Sequence, residues 1–205
     1  MSAPLQLVGE QLRRFADRLA AAQPLLASVI AEGSVSAVAV PVPAVLSGAV
    51  VYRVMIDTRR RPLELLVAEI GDELLPLGDV ASVDAVAGRL GLQLDTQAEV
   101  ADYLRFWCAA TGRSGDRLVE SAADFHWTPG VTTDADMRAH ADSAVHLARR
   151  VAVGHAAAGA FPAEVTMLHQ RTLVLHHLRV AHDGHVEELS RVELMDQVPV
   201  PYTMP

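Results

Sequence analysis

The chain has 205 residues, of which 51% are hydrophobic and 20% charged, and this composition is typical of a folded globular protein. It contains no lysine, so a Schiff-base lysine, a Walker A lysine and the lysine ion pair of protein kinases are all excluded. The formal net charge of −8 argues against a general nucleic-acid surface, and the single cysteine permits no internal disulfide, which favours a reducing compartment.

The N-terminal segment predicts an amphipathic helix over residues 4–22. Pro4 is a favoured residue for the first turn, and apolar residues such as Leu12 and Leu19 recur at steps of three and four. We expect this helix to pack against its own domain, and a partner surface is the alternative. No positively charged region precedes an apolar stretch, so no signal peptide is predicted.

Residues 35–77 are predicted to form antiparallel strands. The Val-rich or alternating stretches lie at 35–40, 49–56 and 63–69. Gly71 and Asp72 provide a two-residue turn for a hairpin over residues 64–77, because glycine readily adopts the positive φ that such turns require.

The longest uncharged run, residues 33–52, is about as long as a membrane span. Pro41, Pro43 and Gly48 interrupt it, so we predict two buried strands joined by a turn, with no membrane contact. The arginines at 59–61 form the one strong basic spot. We interpret them as a solvated turn, with an anion site or a nucleic-acid contact as the alternative.

Two helices are predicted over residues 82–111. Ser82 caps the first helix and Gly91 ends it. Thr96 and Glu99 have the spacing of a capping box, in which each side chain accepts a hydrogen bond from the backbone of the other residue. This makes the second helix the best-specified element of the chain.

The C-terminal half is predicted to hold a long helix and a meander of strands. In chain order the segments are a short strand at 118–120, an irregular stretch at 121–133, a helix at 134–157, strands within 164–194 and an extended tail at 198–205. With the N-terminal elements, this order predicts a single α+β domain over 1–205. Its sheet is expected to be mainly antiparallel, with the C-terminal β-meander packed against three to four helices.

All nine histidines fall in the second half of the chain, and histidine is both a common metal ligand and a common general base. Asp183 and Gly184 predict a two-residue hairpin turn, which would pair His182 with His185. A zinc site needs three or four ligands, and this pairing brings only two together. We therefore predict no metal site and no cofactor.

Counting outward from this turn gives a predicted register for the hairpin. It sets Val180 opposite Glu187, Arg179 opposite Glu188, Leu178 opposite Leu189, and His176 opposite Arg191. One face then carries mostly apolar residues, namely Leu173, Leu175, Ala181, Val186, Val192 and Leu194. We predict that this face is the core, and that the other, half-apolar face is covered by a helix or another subunit.

Other candidate catalytic residues have ordinary structural interpretations. Asp136 precedes His140 by four residues and Asp142 precedes His146 by four, which fits either an oriented general base or an exposed helix face. Cys108 lies on an apolar stripe, so we predict an inert, structural thiol. Ser114 lacks the glycine spacing of a nucleophile elbow. No catalytic residue is therefore predicted.

Phe125, His126 and Trp127 form the strongest candidate binding site. Two aromatic residues beside a histidine in an irregular segment fit a recognition surface, because aromatic residues dominate binding hot spots. The alternative is that the aromatic pair closes an edge of the core beneath the loop.

Two functional hypotheses follow from these patterns. The first is a non-enzymatic interaction or accessory module of a bacterial cytoplasmic system, acting through self-association or a protein partner, without nucleic acid or membrane. It rests on the half-apolar hairpin face, the N-terminal helix and the proline-containing tail. The alternative is a small hydrolase or metal-dependent enzyme that uses residues of the histidine-bearing C-terminal half.

Overall fold

The structure is a computed structural model, and it describes residues 5–58, 62–112 and 116–201. Within these residues there are five α-helices and two antiparallel sheets, which confirms the predicted α+β class and the C-terminal meander. The chain divides into two compact units, Met1–Leu90 and Gly91–Pro205, and each is described by itself. The prediction of a single domain stays a prediction. The arginines at 59–61 and Ser114 lie outside the described residues.

The N-terminal unit holds three helices and a four-stranded sheet. In chain order these are α1 (Gly9–Ala22), α2 (Pro24–Glu32), β1 (Ser34–Val40), β2 (Val50–Asp57), β3 (Leu63–Ile70), β4 (Glu73–Leu77) and α3 (Val80–Leu90). Each strand pairs with its neighbour in sequence, in the order β1-β2-β3-β4. Ile70 pairs with Glu73 across the predicted two-residue turn, where Gly71 has a φ of +57°. The uncharged run therefore lies in β1, β2 and their connection, and none of the helices in the described ranges has the length and apolar character to span a membrane.

The core of this unit lies between α1 and the sheet. Phe15 and Leu19 of α1 are buried, and the Phe15 ring meets the ring of Tyr52 edge-on at 5.1 Å. Val54 and Val67 on the same sheet face complete the centre of this cluster. The apolar stripe of the predicted helix is thus the side that packs on its own unit.

The first helix begins at Gly9, whereas the sequence predicted a start at residue 4. Residues 5–7 run beside β1 instead, and the N–H of Leu7 donates to the carbonyl of Ala37 at 3.0 Å. Backbone groups that pair with a strand cannot also form the first helical turn. The second helix, which was not predicted, begins at Pro24.

The C-terminal unit holds two helices and a five-stranded sheet. In chain order these are α4 (Gln97–Thr111), β5 (Asp116–Leu118), α5 (Ala135–Leu147), β6 (Ala152–Val153), β7 (Ala160–His169), β8 (Thr172–Ala181) and β9 (Val186–Met195). The strand order is β5-β7-β8-β9, and β6 also pairs with β7. The capping box at the start of α4 is confirmed, because Thr96 and Glu99 exchange both predicted hydrogen bonds.

Helix α5 ends at Leu147, although the sequence predicted an end at 157. The chain beyond it becomes extended and forms β6, which pairs with β7. The N–H of Val151 donates to the carboxylate of Glu120 at 3.0 Å, and that carboxylate also accepts two bonds from Arg105 of α4 at 2.9 and 3.0 Å. Arg105 holds the pKa of Glu120 below its ordinary value, so the acceptor stays ionised. The backbone groups after residue 147 therefore bond to Glu120 and to β7, and they cannot also form the hydrogen bonds of a longer helix.

The turn between β8 and β9 differs from the predicted two-residue turn. The N–H of Gly184 donates to the carbonyl of Ala181 at 3.0 Å, and the N–H of Ala181 donates to the carbonyl of His185 at 2.9 Å. Gly184 has a φ of +87°, so the loop has three residues with glycine in the left-handed position. Val180 consequently pairs with Val186, one residue away from the predicted register.

This shift changes which side chains of the hairpin are buried. Val180 and Leu178 are buried, and Val186, which pairs with Val180, is buried on the same face, so the predicted core face is wrong near the turn. The one-residue slip moves Val186 to this face, since adjacent positions of a strand point to opposite faces. Beyond the bulge the predicted register returns, with Leu175 opposite Val192, and Val192 is 47% exposed. Farther from the turn, Leu173 and Leu175 are buried as predicted, because β8 is covered on both faces there.

Candidate functional site

The aromatic pair of the predicted binding patch packs into the C-terminal core. The Phe125 and Trp127 rings are stacked with centroids 4.6 Å apart and planes 6° apart. Phe125 is only 5% exposed and belongs to a cluster that includes Leu168 of β7 and Leu173 of β8. The packing of this pair fits the core interpretation, and a binding role for the patch stays a prediction.

His126, between the two aromatic residues, is exposed and contacts Arg117 of β5. The guanidinium Nη1 lies 2.6 Å from the His126 Nδ1, and because an arginine only donates, this ring nitrogen must be the acceptor. Burial lowers the pKa of Arg117, although Asp124 opposes this effect.

The other predicted candidates do not assemble into a catalytic site. The histidines of the two Asp–His pairs on α5, His140 and His146, are exposed. Cys108 is buried, and burial raises the pKa of its thiol to about 12, so the reactive thiolate does not form near neutral pH. Across the described ranges, no group of three His, Cys, Asp or Glu side chains is placed to hold a metal ion.

The two histidines of the predicted turn serve different purposes. The Nδ1 of His182 donates to the carbonyl of Leu94 at 2.6 Å, and the Leu94 N–H donates back to the His182 carbonyl at 2.8 Å. The carbonyl of Gly184 accepts a 2.8 Å hydrogen bond from the buried hydroxyl of Tyr103 on α4. His185 is exposed beyond this contact. The turn is therefore docked on the segment before α4 and on α4 itself.

The most organised polar cluster in this unit is a chain of four side chains that the sequence analysis missed. Nδ1 of His169 lies 3.2 Å from Oδ2 of Asp116, and Nε2 of His169 lies 2.8 Å from Nε2 of His176. Nδ1 of His176 then lies 2.7 Å from Oε2 of Glu188. We call this set the carboxylate–histidine chain. It takes one residue from each of β5, β7, β8 and β9, and so crosses the sheet from edge to edge.

A bulge in β9 places Glu188 and Arg191 on the same side of the sheet as the carboxylate–histidine chain. Leu178 pairs with Glu188 and His176 pairs with Arg191, with an irregularity between them at Leu189. Since Leu178 and His176 lie on one face of β8, Glu188 and Arg191 share that face too. Glu188 and Arg191 are three residues apart, and in a regular strand they would point to opposite faces. The extra residue at Leu189 therefore places both side chains on the same face.

Burial dominates the electrostatics of His176. The residue is 6% exposed, and this burial lowers the pKa of His176 below its ordinary value of 6.5. The carboxylate of Glu188 opposes the shift, whereas His169 and Arg191 add to it. His176 is therefore neutral near neutral pH.

One signal in the sequence could have revealed part of this chain. Gln170 and Arg171 form a two-residue turn between β7 and β8, which sets His169 opposite Thr172 and Val165 opposite His176. Residues four apart on a strand share a face, so this register alone places both histidines on one side. The turn contains no glycine, and the hairpin signal was therefore weak.

The outer edge of β9 is the least protected sheet edge in the described part of the chain. Residues 5–7 lie against β1, the short β4 contains Pro76, and β5 and β6 cover β7 in succession. By contrast, β9 has ten residues without proline or glycine, and no strand in the described ranges pairs with its outer side. Leu189 and Val192 on this strand are 56% and 47% exposed.

Comparison with known proteins gives no relative: no family model matches the chain, and neither a curated protein nor a solved structure is significantly similar to it.

Proposed function

We propose that this chain is a non-enzymatic interaction module of the bacterial cytoplasm and that it pairs with a second copy of itself through the outer edge of β9. The uncovered edge of this strand carries the proposal. Its unpaired N–H and C=O groups are a template for a further strand, and a sheet extended across two copies would satisfy them. The single cysteine permits no internal disulfide, and this fits the reducing compartment that the proposal assumes.

The side chains of β9 are complementary to themselves in one antiparallel register. A twofold axis between Leu189 and Ser190 sets Glu188 of each copy opposite Arg191 of the other. Both residues lie on the His176 face, so the two opposite-charge pairs would meet on the same side of the extended sheet. The same register sets Glu187 opposite Val192 and Val186 opposite Glu193, which also match in face.

Charges of both signs give this edge selectivity. Strand edges that carry charged residues resist indiscriminate pairing, because only a partner with the complementary order of charges avoids repulsion. The mixed order of Glu187, Glu188, Arg191 and Glu193 therefore favours a defined partner over aggregation, and the self-complementary register supports a second copy as that partner.

Reversing the charge of Arg191 is expected to weaken this dimer. In Arg191→Glu, both Glu188–Arg191 pairs become like-charge pairs, and each cross-strand charge pair is worth about 0.2–1 kcal/mol in either direction. We expect the dissociation constant, measured by sedimentation equilibrium over a range of protein concentrations, to rise by roughly tenfold or more. Raising the salt concentration should bring the dissociation constants of the wild type and Arg191→Glu closer together, because salt screens the charges.

The matched control is Arg149→Glu, which makes the same charge change at an exposed position outside the strands. It should leave the dissociation constant unchanged. A wild-type protein that sediments as a monomer at every concentration would contradict the proposal, and so would equal effects of the two substitutions.

A further inference from the structure

We infer that the carboxylate–histidine chain is a proton-binding clamp, in which one extra proton on the His169–His176 pair completes a line of contacts across the four strands β5, β7, β8 and β9. This inference stands on the geometry of Asp116, His169, His176 and Glu188, and it requires no part of the proposed association.

Proton counting identifies the state that satisfies every contact. The carboxylate–histidine chain has three links, and each joins two neighbouring side chains. They run from Asp116 to His169, from His169 to His176, and from His176 to Glu188. Each link needs one N–H, and only the four ring nitrogens can supply them. Two neutral imidazoles have two N–H groups, so one link lacks a proton. A pair with one extra proton has three, and all three links form.

Full protonation breaks the clamp at its centre. With both imidazoles cationic, the two Nε2 atoms, 2.8 Å apart, both carry hydrogens and both rings are positive. No acceptor remains between them, and the two like charges repel. The His169–His176 link is then lost, and the carboxylate–histidine chain is interrupted between β7 and β8.

The surroundings decide where the extra proton resides. His176 is buried and has Arg191 beside it on β9, whereas the side chain of His169 is 33% exposed and faces Asp116 on β5. These groups and Glu188 on β9 are the charged residues that face the pair. The cation is therefore better solvated on His169, and His176 accepts from it through Nε2 while donating to Glu188 through Nδ1.

The lowered pKa of His176 fixes the sign of the pH dependence. Just below pH 6.5, His176 is protonated in the unfolded polypeptide but still neutral in the folded protein. The folded state is thus favoured above this pH, and its advantage is lost as the pH falls toward the lowered pKa. Between pH 6.5 and the lowered pKa, each unit by which the pH falls should raise the unfolding equilibrium constant by up to about tenfold through His176.

Heteronuclear NMR of the imidazole nitrogens in the wild-type protein tests the clamp directly. At pH 7 we expect His176 to be protonated at Nδ1 and unprotonated at Nε2, and we expect the signals of each ring to shift when the other ring takes up its proton. In Glu188→Gln, the carboxylate that favours the charged form is removed, so the midpoint of His176 should move to lower pH. Independent titration of the two rings, or an unchanged midpoint in this variant, would overturn the clamp.

A stability series provides the second readout. His176→Gln cannot titrate, so its unfolding equilibrium constant should change less between pH 7 and pH 5 than that of the wild type. His140→Gln, at an exposed histidine of α5, is the control and should keep the wild-type pH dependence. The clamp is refuted if all three proteins show the same pH dependence. Both readouts apply to a monomer or a dimer, so they fail separately from the proposed pairing of β9.

Discussion

Replacing Gly184 with alanine is expected to lower the free energy of unfolding by about 2–4 kcal/mol. Gly184 has a φ of +87°, which side chains other than glycine rarely adopt. An added Cβ would also lie 2.4 Å from Leu92 and 3.1 Å from the hydroxyl of Tyr103, which donates to the Gly184 carbonyl. Chemical denaturation of the wild type and Gly184→Ala measures the loss.

Gly159 provides a matched control that separates backbone strain from steric overlap. It has a φ of +80° in the same unit, and an added Cβ would meet no atom within 4 Å. Gly159→Ala should therefore lower the free energy of unfolding by only about 1 kcal/mol, the effect of a side chain on a left-handed backbone conformation. Equal losses for the two variants would show that the turn does not pack on Leu92 and Tyr103 as described.

Replacing Phe125 with alanine is expected to lower the free energy of unfolding by about 3–5 kcal/mol, because it empties a packed position in the core of the C-terminal unit. Phe125 is 5% exposed, and the substitution also removes its stacking on Trp127. Denaturation curves followed by tryptophan fluorescence and by circular dichroism measure the effect. Ala123→Ser, at an exposed position of the same loop, should change stability by less than about 0.5 kcal/mol.

This substitution distinguishes the two interpretations of the aromatic patch. If Phe125 served mainly for recognition, its removal would leave the unfolding transition almost unchanged. A large loss of stability with an unchanged transition in the control would instead assign Phe125 to the core. The exposed His126 and the partly buried Trp127 would then be the members of the patch that remain accessible to a partner.

Local signals in the sequence predicted the fold best where a side chain acts on its own neighbourhood. The capping box of Thr96 and Glu99 and the turn at Gly71 both depend on residues within a few positions, and both are confirmed. Helix α5 was predicted too long because Val151 bonds to Glu120, thirty-one residues earlier. Such a contact competes with helix formation only after the chain has folded.

The candidate sites required information that a single sequence does not carry. His169 and His176 meet only when the registers of β7 and β8 are known, and Glu188 joins them through a bulge at Leu189. The sequence predicted a regular hairpin, which placed Glu188 on the opposite face from His176. One added loop residue shifted Glu187 and Glu188 to the opposite faces from those predicted, and the bulge restored the predicted register from Ser190 to Val192.

Mixing two charge-reversed variants tests the proposed pairing of β9 most directly. Arg191→Glu has only acidic residues at positions 188 and 191, and Glu188→Arg has only basic ones, so each should sediment as a monomer at concentrations where the wild type is a dimer. In the mixed pair, each acidic position faces a basic one, so an equimolar mixture should form a one-to-one heterodimer in native mass spectrometry. Two variants that remain monomeric when mixed, or a mixture that contains only homodimers, would contradict the proposed pairing.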